Sequence, residues 1–216
     1  MDAQEVESGV SRQRRVGAAS REETARRLLS AAHEEFIAHG YSGATVSRIA
    51  ARAGVTVQTL YLAWGSKRAL LRADLERALG GGAPYPSSAL DRFAGKSPAG
   101  VVESLADLFS EIAQRSADGW ALYRNAAVSD AEVAADWHEL QRRRRTTIEA
   151  VLKHIPRDAL RPGLTRGAAI DTAWALVSPD CYELMSSYGG YDLPQFRDWL
   201  ARTLAAALLR DGLASA

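Results

Sequence analysis

The residues that could do chemistry cluster between Thr45 and Lys67. Thr56, Val57, Gln58, Thr59 and Tyr61 bring hydroxyls suited to phosphates, one amide suited to base edges, a methyl-bearing side chain suited to thymine, and an aromatic ring. Just beyond them, Lys67 and Arg68 fall in the first turn of a predicted helix. The helix dipole disfavours cations there by ~0.3–1 kcal/mol each, which implies another use for them. An ammonium beside free backbone N–H groups makes an anion site, and next to a groove-reading helix that anion would be a DNA phosphate. Two solvated surface cations are the alternative.

Such side chains work together only if short helices hold them on one surface. Ser20 and Glu23 have the spacing of a capping box, and Ala25, Leu28, Leu29, Ala32 and Phe36 then recur at helical intervals as far as Gly40. Thr45 can cap a second helix with Val46, Ile49, Ala50 and Ala53 inward. Gly54 closes it, and Thr56 can cap a third that carries Leu60 and Trp64. After Gly65, Ser66 can cap a fourth with Leu70, Leu71, Leu75 and Ala78 inward. The pair joined by Ala53-Gly54-Val55 has the length and turn chemistry of a helix-turn-helix. A glycine-turned hairpin inside a bundle has the same pattern.

The stretch from Gly80 to Ser88, rich in glycine and proline, breaks regular structure. Beyond it, Ser97-Pro98 starts a helix with Val101, Val102, Leu105, Leu108, Phe109 and Ile112 inward. Asp118 can open a short helix to about Ala127. Ser129 can cap a long one bearing Val133, Trp137, Leu140, Ile148, Val151 and Leu152, stopped by Pro156. Two more segments run from about Thr165 to Tyr188 and from about Leu193 to Arg210. Strand-like alternation is lacking, so the fold class is all-α.

The run from Gly40 through Thr45 to Ala50, then Ala53-Gly54-Val55-Thr56, Thr59-Leu60-Tyr61, and Gly65-Ser66-Lys67 with Ala69-Leu70-Leu71, resembles the signature of the TetR family. The resemblance implies an N-terminal three-helix helix-turn-helix domain and a C-terminal helical bundle for regulation and dimerisation. By it, Thr45, Thr59, Tyr61 and Lys67 match positions that contact backbone phosphates, and Arg48, Val57, Gln58 and Leu62 match positions that touch bases. Ala63 stands where family members often carry an aromatic or His, which removes one contact, and Trp64 stands where they carry Phe. The back half is similar to a bacterial subgroup of the family through Ala173 to Pro179, Tyr182-Glu183-Leu184 and Phe196 to Leu200. There the last two helices pair with those of a twin. The stripe Leu193, Phe196, Leu200, Leu204 and Leu208, beside small Ala205, Ala206 and Ala207, could serve that pairing or be buried within one chain.

We divide the chain accordingly: 1–19 a flexible N-terminal tail, 20–80 the DNA-binding domain, 81–216 the ligand-binding and dimerisation domain. Arg12, Arg14 and Arg15 in the tail could reach a groove or be simply solvated. Phe109, Trp120, Tyr123, Arg124, Trp137, Trp174, Cys181 and Tyr182 are candidates for an effector pocket, each also explicable as core packing. Arg124 is the clearest polar handle, or else the partner of a nearby acid. The run Arg142 to Arg145 points all round a helix, so it gives solvated residues and pairs with Glu139 or Glu149 before any second DNA contact.

Charge supports the division. From Arg12 to Arg72 there are 11 Arg or Lys residues against four acids, out of 27 and 26 in the whole chain, so the front is basic and the rest acidic. A single cysteine excludes an internal disulfide and a multi-cysteine metal site, and favours a cytoplasmic setting. His33, His39, His138 and His154 lack metal-ligand spacing. We find no phosphate loop, no carboxylate pair tied to a histidine and no nucleophile with a base, so we expect no catalysis and no cofactor. The expected function is that of a homodimeric, sequence-specific transcriptional regulator. It would be a repressor released from a palindromic double-stranded operator by a small molecule. A helical partner-binding module without specific DNA contact is the alternative.

Overall fold

The computed structural model describes the backbone of residues 3–80 and 90–213, and the side chains of 17–80 and 90–213. Its elements are α-helices: α1 (Ala3–Gly43), α2 (Val46–Arg52), α3 (Val57–Trp64), α4 (Lys67–Ala78), α5 (Pro98–Ser129), α6 (Ala131–Leu152), α7 (Arg166–Leu176), α8 (Pro179–Glu183) and α9 (Leu193–Leu208). A 3₁₀ turn spans Arg157–Ala159 and a π turn spans Leu184–Tyr188. Among the described residues the only extended pairing is one antiparallel bridge between Leu160 and Leu209. The chain divides into two compact units, Met1–Asp74 and Leu75–Ala216.

In the first unit, helix ends fall where the local chemistry demands. Thr45 accepts the Arg48 N–H at 3.3 Å, Thr56 accepts the Thr59 N–H at 3.1 Å, and Ser66 accepts the Ala69 N–H at 3.0 Å. Gly54, at φ +65°, lets the Val55 N–H return to the Ala50 carbonyl at 3.0 Å and so ends α2. A side chain there would be strained by that φ and would meet the Arg27 guanidinium 3.0 Å away. Leu28, Ala32, Phe36, Ile49, Ala50, Leu60, Leu70 and Leu71 close the small core. The start of α1 differs from expectation: Ser20 lies inside the helix, not at its cap. Gly40, at φ +66°, kinks the helix, and one further turn follows to Gly43. The side chains of Arg12, Arg14 and Arg15, and the linker at 81–89, lie outside the described residues.

The second unit is built on α5, which runs unbroken from Ser97, its cap, to Ser129. The predicted break at Asp118 is absent. Asp118 is exposed and lies between Ser116 and Trp120, both buried, so the apolar face continues past it. Asp130, not Ser129, caps α6, accepting the N–H groups of Glu132 and Val133. The predicted segment from Thr165 to Tyr188 is interrupted at Val177, where φ −82° and ψ 51° leave the helical region. Ser178 caps a fresh start at α8.

Phe93, Val102, Leu105, Phe109, Ile148, Leu152, Ile170, Phe196, Leu200, Leu204 and Leu208 share one core. Of the two readings left open for the α9 stripe, burial within one chain is the one observed. Phe196, Leu200, Leu204 and Leu208 are each 0 % exposed within a single chain and are not available to a twin. Arg197 ties α9 to α5 through Asp107 at 2.6 Å.

Candidate functional site

The surface expected to read DNA is carried by α3, and its geometry follows from one anchor. Leu60 is completely buried, which fixes the roll of this two-turn helix. Trp64 fastens its far end, with Nε1 donating to the Ala25 carbonyl at 3.1 Å. The opposite face then has to project: Gln58 is exposed, Tyr61 is 50 % exposed and Leu62 is 81 % exposed. Val57 and Thr59 are half-buried beside them, and Thr45 and Thr56 are exposed. The hydroxyls of Thr56 and Thr59 lie 2.9 Å apart, so each can satisfy the other. The structure therefore brings Thr56, Val57, Gln58, Thr59, Tyr61 and Leu62 together on one short helix, with Thr45 at the start of α2.

Two expected contacts stand differently. The Lys67 ammonium donates to the carbonyls of Tyr41 and Ala44 at 2.8 and 3.0 Å and lies 4.1 Å from the centre of the Tyr41 ring. It holds the carbonyls that end α1 to the start of α4, which explains a cation at a helix N-terminus better than a mobile charge does. The Arg48 side chain is likewise engaged. Its Nε lies 2.9 Å from Glu35 Oε2, and its guanidinium meets the ring of His39. Lys67→Met removes two charge-assisted hydrogen bonds, each worth about 1.5–3 kcal/mol. A first unfolding transition at clearly lower denaturant is the expected outcome, measured by far-UV circular dichroism.

Glu35 carried no signal in the sequence, because it sits at helical spacing among apolar neighbours and shares its charge with exposed Glu34. In the structure it is 2 % exposed. Arg52 donates to it from Nε at 2.8 Å, while another nitrogen of the same guanidinium reaches Glu34 at 2.9 Å. The Arg52 hydrogen bond, helped by the nearby Arg48, holds the Glu35 carboxyl below the usual carboxylate range against the opposing effect of burial. A carboxyl depressed on folding stabilises the fold above its unfolded pKa, here near 4.5, and loses that contribution as the pH falls through the lower folded value. Acid unfolding of the first unit below about pH 4.5 should therefore be blunted in Glu35→Gln relative to wild type, as followed by fluorescence over a pH series.

In the second unit a separate feature gathers three of the expected pocket residues. Arg124, Trp137 and Trp174 line an open cleft of about 510 Å³ together with Gln141, Arg144, Ala175, Ser178 and Asp180. Trp120 and Tyr123 support it from behind, edge-on and stacked against Trp137 at ring separations of 5.4 and 6.3 Å. Phe109 and Tyr182 pack instead on Phe196, at 6.2 and 5.0 Å, and Cys181 lies against the same core. Burial, with the Asp180 carboxylate beside it, pushes the Cys181 thiol up.

The charged groups of the cleft are already engaged. Arg124 pairs with Asp180 and, at 2.8 Å, with Glu183, and the Glu183 hydrogen bond raises its pKa further. Of the arginine run, Arg142 and Arg143 pair with Glu139 and Arg145 pairs with Asp171. Arg144 points inward: it is 6 % exposed, and its guanidinium donates to the Trp174 carbonyl at 2.6 Å while lying over the Trp174 ring. Among the described residues the buried indole N–H of Trp174 has no acceptor.

No group of three or more His, Cys, Asp or Glu able to hold a metal occurs among the described residues, and no helix is long and apolar enough to cross a membrane. An exposed two-turn helix presented by a capped, glycine-turned hairpin defines a helix-turn-helix protein. Residues 28–73 match the model of the bacterial regulatory proteins of the tetR family. That match makes the N-terminal segment similar to the DNA-binding part of tetR-family regulators.

Several solved structures share the architecture. SmeT, the repressor of the Stenotrophomonas maltophilia multidrug efflux pump SmeDEF, in its complex with triclosan, is 22 % identical with a TM-score of 0.69, over 88 % of this chain and 93 % of that one. NalD, the secondary repressor of the MexAB-OprM multidrug efflux pump in Pseudomonas aeruginosa, is 17 % identical with a TM-score of 0.69, over 88 % and 98 %. The regulator FadR from Bacillus subtilis, in complex with stearoyl-CoA, is 20 % identical with a TM-score of 0.60, over 83 % and 96 %. At these identities the likeness shows the fold. No curated protein matches the sequence.

Proposed function

We propose that the chain is a non-enzymatic, cytoplasmic repressor that binds a palindromic operator as a homodimer and is released by a small molecule. Residues 20–80 would bind DNA, and 81–216 would take the effector and the twin. The observation that carries this reading is the exposed face of α3. A leucine and a tyrosine left open to solvent on a helix whose other side is locked by Leu60 form a surface built for a partner. In this assignment Gln58, Val57 and Leu62 meet base edges, and Thr45, Thr56, Thr59 and Tyr61 meet phosphates. Lys67 and Arg48 position the helices. Two-fold symmetry places half-site centres about one DNA turn (~34–36 Å), or a multiple of it, apart.

We assign the effector to the cleft of Arg124, Trp137 and Trp174. An ion of either sign would have to displace Asp180 and Glu183 from Arg124, or the carbonyls from Arg144. What the cleft has left to offer is the indole surface of Trp137 and Trp174 with the polar side chains of Gln141 and Ser178 at its wall. The fitting ligand is an uncharged, flat aromatic molecule with a polar edge. It relieves repression only if it binds the DNA-incompetent state more tightly, with ~1–3 kcal/mol of coupling as the usual scale.

Mobility shift over a salt series tests the first part: log K should fall linearly with log[salt], at about 0.9 per phosphate neutralised. A helical partner-binding module would show no such slope, and no shift at all would end the reading.

A further inference from the structure

We propose that Glu35 is a specificity-determining positioning residue, which withholds the two arginines of α2 from indiscriminate contact with DNA phosphates. The inference rests on the DNA-binding reading above. Arg48 and Arg52 stand one helical turn apart on α2, and their side chains are 48 % and 42 % exposed. A guanidinium that open is within reach of any duplex laid on the domain, and each phosphate it neutralised would add affinity without adding sequence information.

The structure closes that route from inside. The Glu35 carboxylate, buried on α1, meets Arg52 at Oε1, at 2.7 and 2.8 Å, and forms an ion pair with Arg48 at Oε2, 2.9 Å away, without hydrogen-bond geometry. Glu34 takes the remaining arm of Arg52 at 2.9 Å, and His39 approaches Glu35 Oε2 at 3.8 Å. Two carboxylates and two guanidiniums make the cluster neutral when His39 is neutral. The α2 face is therefore silent toward phosphates, while the α3 face, which carries side chains able to read bases, stays open. The partners come from different helices, so the fork also fixes α2 against α1. One buried carboxylate thus sets both the pose of the hairpin and the ratio of specific to random binding.

The test is fluorescence anisotropy of a labelled random-sequence duplex with Glu35→Gln, which keeps shape and removes the charge, across about 50–200 mM potassium chloride. The expected result is tighter random binding, with a salt slope steeper by about 1–2 per protomer at 0.9 per phosphate. The ratio of affinities for cognate and random DNA should fall, and Glu35→Asp should restore both readouts. Arg52→Gln, with Glu35 intact, should leave the random-duplex slope unchanged, and this arm decides the matter if Glu35→Gln does not fold. A folded Glu35→Gln with the wild-type slope overturns the proposal, and so does an Arg52→Gln slope shallower by about 0.9. Either result leaves the DNA-binding reading standing, whereas a wild-type protein that binds no duplex ends that reading and this proposal together.

Discussion

Gln58→Ala should abolish discrimination by the protein at one base step while leaving its fold untouched. Gln58 is exposed on α3, so its truncation opens no cavity and breaks no hydrogen bond of the hairpin. What it removes is the one amide on the reading face, and a good amide–base pair is worth ~1–3 kcal/mol. In the proposed homodimer two half-sites are read, so the loss doubles to ~2–6 kcal/mol for cognate DNA. That is a fall of about 30-fold at the least, against a random-duplex affinity that stays where it was. Anisotropy with the two duplexes separates these effects. Equal weakening on both would mean that Gln58 meets backbone phosphate, and no change on either would take α3 off the DNA.

The second large effect is on stability. Phe196→Ala removes a ring that is 0 % exposed and touches Phe109, Tyr182 and Trp199 at ring separations of 6.2, 5.0 and 5.8 Å. A truncation of this kind leaves a cavity as well as lost burial and costs about 3–5 kcal/mol. Chemical denaturation should show the second unit unfolding at much lower denaturant. The same variant settles the role of the α9 stripe. If Phe196 sat on a surface between twins, the change would shift a monomer–dimer equilibrium and spare the stability of the isolated chain.

Much of this was legible in the residues themselves, because local chemistry decides it. Thr45, Thr56, Ser66 and Ser97 each cap the helix expected of them, and Gly54 supplies its turn, since a hydroxyl or a missing Cβ acts within four residues. What failed was whatever depended on a distant partner. An apolar stripe on a helix says that it will be buried but not against what, so Leu200 and Leu204 gave no means of telling a core from a dimer face.

The same limit hid Glu35, whose meaning comes from Arg48 and Arg52 on another helix. Arg144 was equally opaque: four arginines in a row point all round a helix, and the backbone acceptors that draw this one inward, at Trp174 and Val177, lie some thirty residues on. Lys67 shows the converse. Its odd position was visible at once, but the carbonyls it serves lie more than twenty residues away. The aromatic candidates of the second unit split between the cleft and the core around Phe196 for this reason too, since ring chemistry suits either place.

Nuclease protection on the DNA flanking the gene tests the central claim most directly. The expected result is a protected stretch with two-fold symmetry, its half-sites about one DNA turn or a multiple of it apart, that disappears when Gln58→Ala or Tyr61→Ala replaces the wild type. Protection that survives both substitutions, or its absence at any protein concentration, would contradict the claim that the open face of α3 reads duplex DNA.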